Sequence, residues 1–277
     1  MTTRRTRRTR GYMLITVLWV GLALLMSLSA YLSTARQKAL TVRAEVATSR
    51  AVELARSGLN VALADLGRVD PSLPTSRRDN SPVRMSMAEG TVTYRVMDEV
   101  GKVDLLRAPT QLLAPILVKI AEREGVDAFA AAGAAETLQT LASSPRGAAL
   151  SVYDLMRRIG LSPQSALASE RYLTTFNFTP RVNPRTAPRA VLESIPGIGI
   201  SDVEAVLAKR ETGGNLPRLG TASVWLLERP GPVYRVQADA RLASGAEATI
   251  ITHVAQRGLA FRGGLMQYDI LSYRIER

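Results

Sequence analysis

The chain has 277 residues, 46% hydrophobic and 5% aromatic, which suits one large domain or two small ones with a proper core. It has no cysteine, so disulfides and thiolate metal sites are excluded, and its one histidine, His253, excludes a site crowded with histidines. That histidine lies in an expected strand and reads as structural. The net charge is +12, and five arginines (Arg4, Arg5, Arg7, Arg8, Arg10) sit in the first 11 residues, which hold no acid; without them +7 remains. A basic chain fits nucleic acid, but arginines directly before an apolar run read first as the cytoplasmic flank of a membrane span.

Residues 12–35 carry no charge and end at Arg36. As a helix they measure roughly 36 Å, and a hydrocarbon core of about 30 Å needs about 20 residues. The expectation is one transmembrane helix. A cleaved signal peptide is the alternative, with Ser29-Ala30-Tyr31 a weak cleavage signal. Residues 36–66 lack proline, and Val52, Ala55, Leu59, Leu63 and Leu66 recur at spacings of three or four. The helix is therefore predicted to continue through Gly58, although glycine costs about 1 kcal/mol there relative to alanine. Residues 12–66 would make a rod of about 80 Å, half in lipid and half against a folded body.

A basic leader, an apolar half and an amphipathic half in one helix resemble a type IV pilin-like subunit. Arg10-Gly11 before Tyr12 resembles a prepilin leader, which implies cleavage by prepilin peptidase between Gly11 and Tyr12 on the cytoplasmic side and methylation of the new N-terminus. The other reading of Gly11 is an incidental residue in a plain topogenic flank. Pilin-like proteins carry glutamate at the fifth mature position, where it pairs with a neighbouring subunit's amine; here Thr16 stands there. An unpaired charge in lipid costs about 2.5–3.5 kcal/mol on insertion scales. A subunit with nothing above it gains nothing from that charge. Its absence resembles the K-type minor pseudopilin of type II secretion.

Residues 67–82 are rich in Pro, Ser and Asp and read as a loop. Residues 83–88 and 91–97 form a predicted hairpin around Glu89-Gly90, with Val92, Tyr94 and Val96 on one face. Asp98-Glu99-Val100-Gly101-Lys102-Val103-Asp104-Leu105 resembles the segment that leads into the inserted helical domain of the K-type family. Its spacing is not that of an EF-hand, and a solvated turn is expected. Helices are predicted over 109–124, 127–142, 151–159 and 163–172. The first puts Leu112, Ile116 and Ile120 beside Lys119 and Arg123. Segments 150–162 and 172–176 resemble further family segments.

The most specific motif runs from Val182-Asn183-Pro184-Arg185-Thr186-Ala187-Pro188 through Ile195-Pro196-Gly197-Ile198-Gly199 to Lys209-Arg210. It reads as a helix–hairpin–helix, a SAM-like element, with Thr186 capping the first helix and Pro188 in its first turn. Pro196, Gly197 and Gly199 make the turn. Such hairpins also bind DNA: the amides of Gly197, Gly199 and Ile200 would hold a phosphate, helped by Arg189, Lys209 and Arg210. Asp202 and Glu204 at the start of the second helix would repel it and complement the helix dipole instead.

Strands are predicted over 233–240, 248–254 and 268–275, with a turn at Ser244-Gly245. The fold expected is α+β: a pilin-like long N-terminal helix on a small antiparallel sheet, split by a large helical insertion. The divisions are 1–11 leader, 12–35 membrane helix, 36–104 first pilin-like part, 105–218 insertion and 219–277 second pilin-like part. The whole pattern resembles the K-type minor pseudopilin (GspK) family. That resemblance implies a single-pass inner-membrane protein with a cytoplasmic leader and a periplasmic body. It implies a place at the pseudopilus tip beside I- and J-type pseudopilins, a part in initiating assembly, and contact with secreted cargo. It also implies calcium, but the family's acidic and tryptophan positions are missing from 125–148, where only Gly133-Ala134-Ala135-Glu136 stands, so no ligands are identified. No cofactor and no catalytic residue is expected: there is no G-x-S-x-G, no HExxH and no framed acid pair. The alternatives are a membrane-anchored helix–hairpin–helix DNA-binding protein of a DNA-uptake system and, more weakly, an anchored enzyme.

Overall fold

The computed structural model describes residues 8–66, 78–124, 128–144, 150–259 and 266–276. Leader residues 1–7, positions 67–77 of the expected loop, and 125–127 and 145–149 of the insertion lie outside them.

Helix α1 (Arg8–Leu66) is unbroken over 59 residues, so the predicted rod forms. Its C-terminal turns lie on the sheet. Ala51, Ala55 and Ala62 are fully buried there, with Val52, Leu54, Leu59 and Leu66 close behind, while Leu63 is half-buried. Small side chains bring the helix near the strands. At Gly58 the approach is closest: a Cβ there would stand 2.2 Å from Val92 Cγ1. The glycine that weakens the helix in isolation is the one that lets it seat on β2.

The sheet has five antiparallel strands in the order β1-β2-β5-β6-β7. Strands β1 (Asp79–Met87) and β2 (Gly90–Asp98) form the predicted hairpin, β1 starting four residues before the expected Val83. The segment 79–82, expected in the loop, is thus strand. Strands β5 (Val233–Leu242), β6 (Glu247–Leu259) and β7 (Met266–Glu276) complete the sheet, the last two longer than predicted. Register shifts after His253 and Gln256 let β6 and β7 continue past the regular alternation. The face toward α1 carries Val92, Tyr94 and Val96 from β2, Val236, Ala238 and Ala240 from β5, and Ile250 and Val254 from β6. Burying each large aliphatic side chain stabilises by about 1.5–3 kcal/mol. The Tyr94 hydroxyl donates to the Asp65 carboxylate and ties the helix end to the sheet.

Between β2 and β5 the chain builds the insertion with its own core. Its elements are β3 (Val103–Asp104), α2 (Thr110–Glu124), α3 (Ala128–Ser143), α4 (Val152–Arg158), α5 (Pro163–Ser169), β4 (Leu173–Thr174), α6 (Arg189–Ser194) and α7 (Ile200–Thr212). These elements are helices apart from β3 and β4, which pair in parallel. Leu112, Leu113, Ile116, Leu138, Leu155 and Met156 are wholly buried in this second core.

The expected solvated turn at 98–105 is instead the buried joint between sheet and insertion. Asp98, Glu99, Lys102 and Asp104 are 0–1% exposed. Asp98 accepts from the amides of Val100 (3.1 Å) and Gly231 (3.2 Å). Burial still pushes its carboxyl up to about 6. Glu99 pairs with Lys102 at 2.6 Å. Asp104 accepts from the amides of Leu106 (2.7 Å), Arg107 (3.1 Å) and Phe178 (2.8 Å). Asn177 donates to the carbonyls of Lys102 and Arg181, and the Asn183 amide donates to Val100 O at 2.8 Å. His253, on the sheet face toward the insertion, stacks on Phe176 with ring centroids 4.7 Å apart and bonds Ser272 Oγ at 2.7 Å. Burial lowers its pKa from 6.5 to about 4.

Two outcomes follow for the full chain in detergent. Gly58→Ala lowers unfolding stability by about 1–3 kcal/mol through overpacking, and adding Val92→Ala restores part of it; thermal unfolding reads both. The imidazole of His253 stays neutral when folded but protonates below pH 6.5 when unfolded, so its contribution is full above 6.5 and is lost as pH falls toward 4. A His253→Phe variant, which keeps the stack on Phe176, therefore loses less stability than the parent between pH 6.5 and 4, as denaturant titrations at several pH values would register.

Candidate functional site

Two places bear on function: the exposed N-terminal half of α1 and the α6–α7 hairpin in the insertion. A stretch of α1 beginning at Tyr12 is long and apolar enough to cross a membrane, and none of it is buried within the chain. Tyr12 is 78% exposed, and Leu14, Val17, Leu18 and Trp19 stand out around the helix beside it. A helix that is apolar all round with no protein against it needs another apolar phase. Gly11 and Tyr12 lie inside α1, whose helical turns begin at Arg8. Thr16, at the fifth position counted from Tyr12, donates its hydroxyl to the Tyr12 carbonyl at 2.6 Å. Its one polar group is thus bonded within the helix, and no charge is carried into the apolar segment there.

The hairpin lies between α6 and α7. Gly197 takes φ +84°, the left-handed region that favours glycine, and a Cβ there would stand 2.8 Å from Thr221 Oγ1. The turn closes through the Ile198 amide donating to Ile195 O at 3.2 Å. Pro196 is half-buried beneath it. Thr186 does not cap α6 as expected. The helix starts two residues later than a Thr186 cap would place it, with Pro188 at its N-cap and no side-chain cap bond, and Thr186 is buried against Gly101. Pro188 precedes the helix, whose carbonyl begins the helical bonding to Val191 and Leu192.

The charges around the hairpin are already committed within the fold. The Gly199 amide, a donor a phosphate would need, donates to Asp202 Oδ2 at 3.0 Å. Arg189 bonds Glu193 at 2.8 Å and also pairs with Glu204, which holds its guanidinium charged. Lys119 reaches Glu193 at 2.6 Å, so two cations keep that carboxyl below its usual range. Arg210 donates from Nε to the Pro184 carbonyl at 2.8 Å, and burial lowers its pKa to about 10. Of the cations considered for phosphate, Lys209 alone remains exposed without a described bond. The arrangement closes two helices on each other and presents carboxylates where an anion would sit.

The acidic joint does not fit calcium either. The oxygens of Asp98 and Asp104 face backbone amides, and Glu99 faces an ammonium. A cation site needs carboxylates converging on a common point, free of such donors. Sequence reasoning missed the joint and the cavity of about 740 Å³ beside it, walled by Tyr153, Leu167, Phe176, Phe178 and Leu271. The signal available was a run of charged residues at the border of two units, where a chain that turns inward must carry its own hydrogen-bond partners.

No protein-family model matches the sequence, and no curated protein matches it. Among solved structures, the chain is similar to a chain of the GspK-GspI-GspJ complex from the enterotoxigenic Escherichia coli type 2 secretion system. The two share 14% identity with a TM-score of 0.52, over 85% of this chain and 99% of the other. At that identity the likeness concerns fold alone: a long N-terminal helix packed on an antiparallel sheet, with further helices, as in a pseudopilin.

Proposed function

We propose that the chain is a minor pseudopilin of type II protein secretion that sits at the tip of a periplasmic pseudopilus and helps to initiate its assembly. The observation that carries this reading is α1 itself, one rod that is bare and apolar at one end and packed at the other on a sheet that carries a bulky head. That division suits a subunit drawn from the inner membrane into a bundle of similar helices. The pseudopilin-like fold supports the reading, as does the fact that the solved relative was found with two other pseudopilins. Prepilin peptidase would cut between Gly11 and Tyr12, leaving the leader in the cytoplasm and the body in the periplasm. The neighbours would be I- and J-type minor pseudopilins. Thr16, bonded to its own helix, asks for no partner amine above it, which suits the last subunit of a stack. The head would then block further addition and face the cargo or the channel. In this reading the protein works by packing and positioning rather than by chemistry.

N-terminal sequencing and intact mass of the membrane-extracted protein test it: the expected species begins at N-methylated Tyr12, and an intact Met1 contradicts the proposal. The DNA-uptake alternative predicts salt-dependent DNA binding. With Asp202 on the Gly199 amide and Arg189 and Arg210 engaged, gel shifts with the detergent-solubilised chain should show no band retardation even at low salt.

A further inference from the structure

The cavity of about 740 Å³ lies between the sheet and the insertion. Strands β6 and β7 give it Ile251, His253 and Leu271, and helices α4 and α5 give it Val152, Tyr153 and Leu167. Its size falls in the range of small-molecule sites, about 300–1,000 Å³. Among the described residues outside α1, seven large apolar side chains are exposed, and four of them, Leu167, Phe178, Leu271 and Tyr273, line this one cavity at 42–54% exposure. Such a cluster on the outside of a folded body marks a place where something apolar lands.

Two irregularities of the backbone shape its exposed walls. Phe178 takes φ +60°, where an aromatic residue is a rare outlier. Asp104 accepts its amide at 2.8 Å, and the neighbouring Asn177 is bonded to the carbonyls of Lys102 and Arg181, so the chain is held in that conformation. The strain leaves an aromatic side chain 54% exposed at the cavity, which packing does not explain. In β7, Ser272 pairs with His253 and Ile270 with Val254, which leaves Leu271 as the extra residue of a bulge. Bulges re-aim side chains beside sites, and Leu271 is part of the cavity wall.

The buried wall carries a carboxylate. Glu99 Oε1 bonds Lys102 Nζ at 2.6 Å, and His253 Nε2 stands 3.7 Å from the same oxygen. Glu99 Oε2 is buried, and among the described residues nothing donates to it. Burial opposes its charge, but the Lys102 ammonium outweighs burial and holds the carboxyl below its ordinary value. A buried acceptor without a donor is costly, and one donor from a ligand relieves it. A cation there would lose its water and meet the Lys102 ammonium, and an anion would meet the carboxylate. A peptide would bring an amide and a carbonyl for every residue. The hydroxyls that could answer them are committed: Ser151 to Asp154 at 2.6 Å, Ser272 to His253 at 2.7 Å and Thr174 to the Phe176 amide at 3.0 Å. We infer that this cavity binds a small, uncharged, largely apolar or aromatic molecule whose one hydroxyl or N–H donates to Glu99 Oε2, with Phe178 and Leu271 as its exposed walls. The inference does not rest on the pseudopilin reading.

The chain has no cysteine, so Leu271→Cys places a single thiol in the cavity wall. The full-length variant in lipid nanodiscs is labelled with a water-soluble maleimide while three probes compete. These are 2-naphthol, 2-methylnaphthalene (the same shape without a donor) and the cation 2-naphthylmethylammonium. Dialysis fixes each free concentration, so partition into lipid does not enter. The expected result is that 2-naphthol slows labelling at about tenfold lower concentration than 2-methylnaphthalene, the effect of one hydrogen bond to a charged group. The ammonium protects least. Val224→Cys, exposed but outside the cavity, is labelled at one rate throughout. Adding Phe178→Gly to Leu271→Cys weakens protection several-fold while thermal unfolding stays level or rises, because glycine takes φ +60° freely. Adding Leu167→Trp instead, at a position 46% exposed, fills the cavity and removes the protection. Equal protection by 2-naphthol and 2-methylnaphthalene overturns the inference, as does the ammonium protecting best. So does protection of Val224→Cys to the same degree, no protection by any probe up to its solubility, or protection unchanged by Phe178→Gly or by Leu167→Trp.

Discussion

The close seating of α1 on the strands, centred on Gly58 against Val92, is the contact on which the rest depends. Long helices draw most of their stability from tertiary packing rather than propensity. Here the packed stretch is short, and three alanines and a glycine stand in it where larger residues would hold the helix off. Ala51, Ala55 and Ala62 contribute little area each, but they bring the backbone near enough for Val52, Leu54, Leu59 and Leu66 to interlock with the sheet. That grip fixes the direction of the whole rod. Everything N-terminal to it, including the segment fit for lipid, follows as a rigid extension.

A second constraint acts at the joint of sheet and head. A chain leaving β2 to build a separate core passes between two apolar clusters, where water cannot satisfy its backbone. The residues at 98–104 supply acceptors for those amides themselves, and Asn177 and Asn183 bond to the crossing chain from the other side. Buried polar groups of this kind add less to stability than to uniqueness: unpaired, each would cost about 1–3 kcal/mol. They hold the head at one angle to the rod. Burial pushes the Asp98 carboxyl up and the His253 imidazole down, so acid acts on the joint in two opposing ways.

Much of this was legible in the sequence because it is written in periodicity. The uncharged run at 12–35, the stripe from Val52 to Leu66 and the alternation in β2 and β5 each follow from one element burying one face. The split of the sheet by the insertion was readable for the same reason. What escaped was set by tertiary context. Charged residues at 98–104 look solvated until two cores close over them. Thr186 has the composition of a cap but lies two residues too early, where Gly101 presses on it. Strand β1 begins inside a segment whose Asp, Asn, Ser and Pro suggest a loop, because pairing with β2 outweighs local preference at a sheet edge. The Arg189 pair with Glu204 and the Arg210 bond to Pro184 join residues 15 and 26 positions apart, which spacing alone does not show.

Because Asp98 at the end of β2 lies opposite Tyr234 near the start of β5, the entire head is the tip of one outsized β-hairpin. The Asp98 bond to Gly231 staples its mouth shut. Closing such a loop costs only about 0.6 kcal/mol more for each doubling of its length. A lineage is therefore free to swell, trim or exchange what is threaded through that gap while the underlying rod and sheet stay unchanged, much as a ring setting accepts stones of different cut.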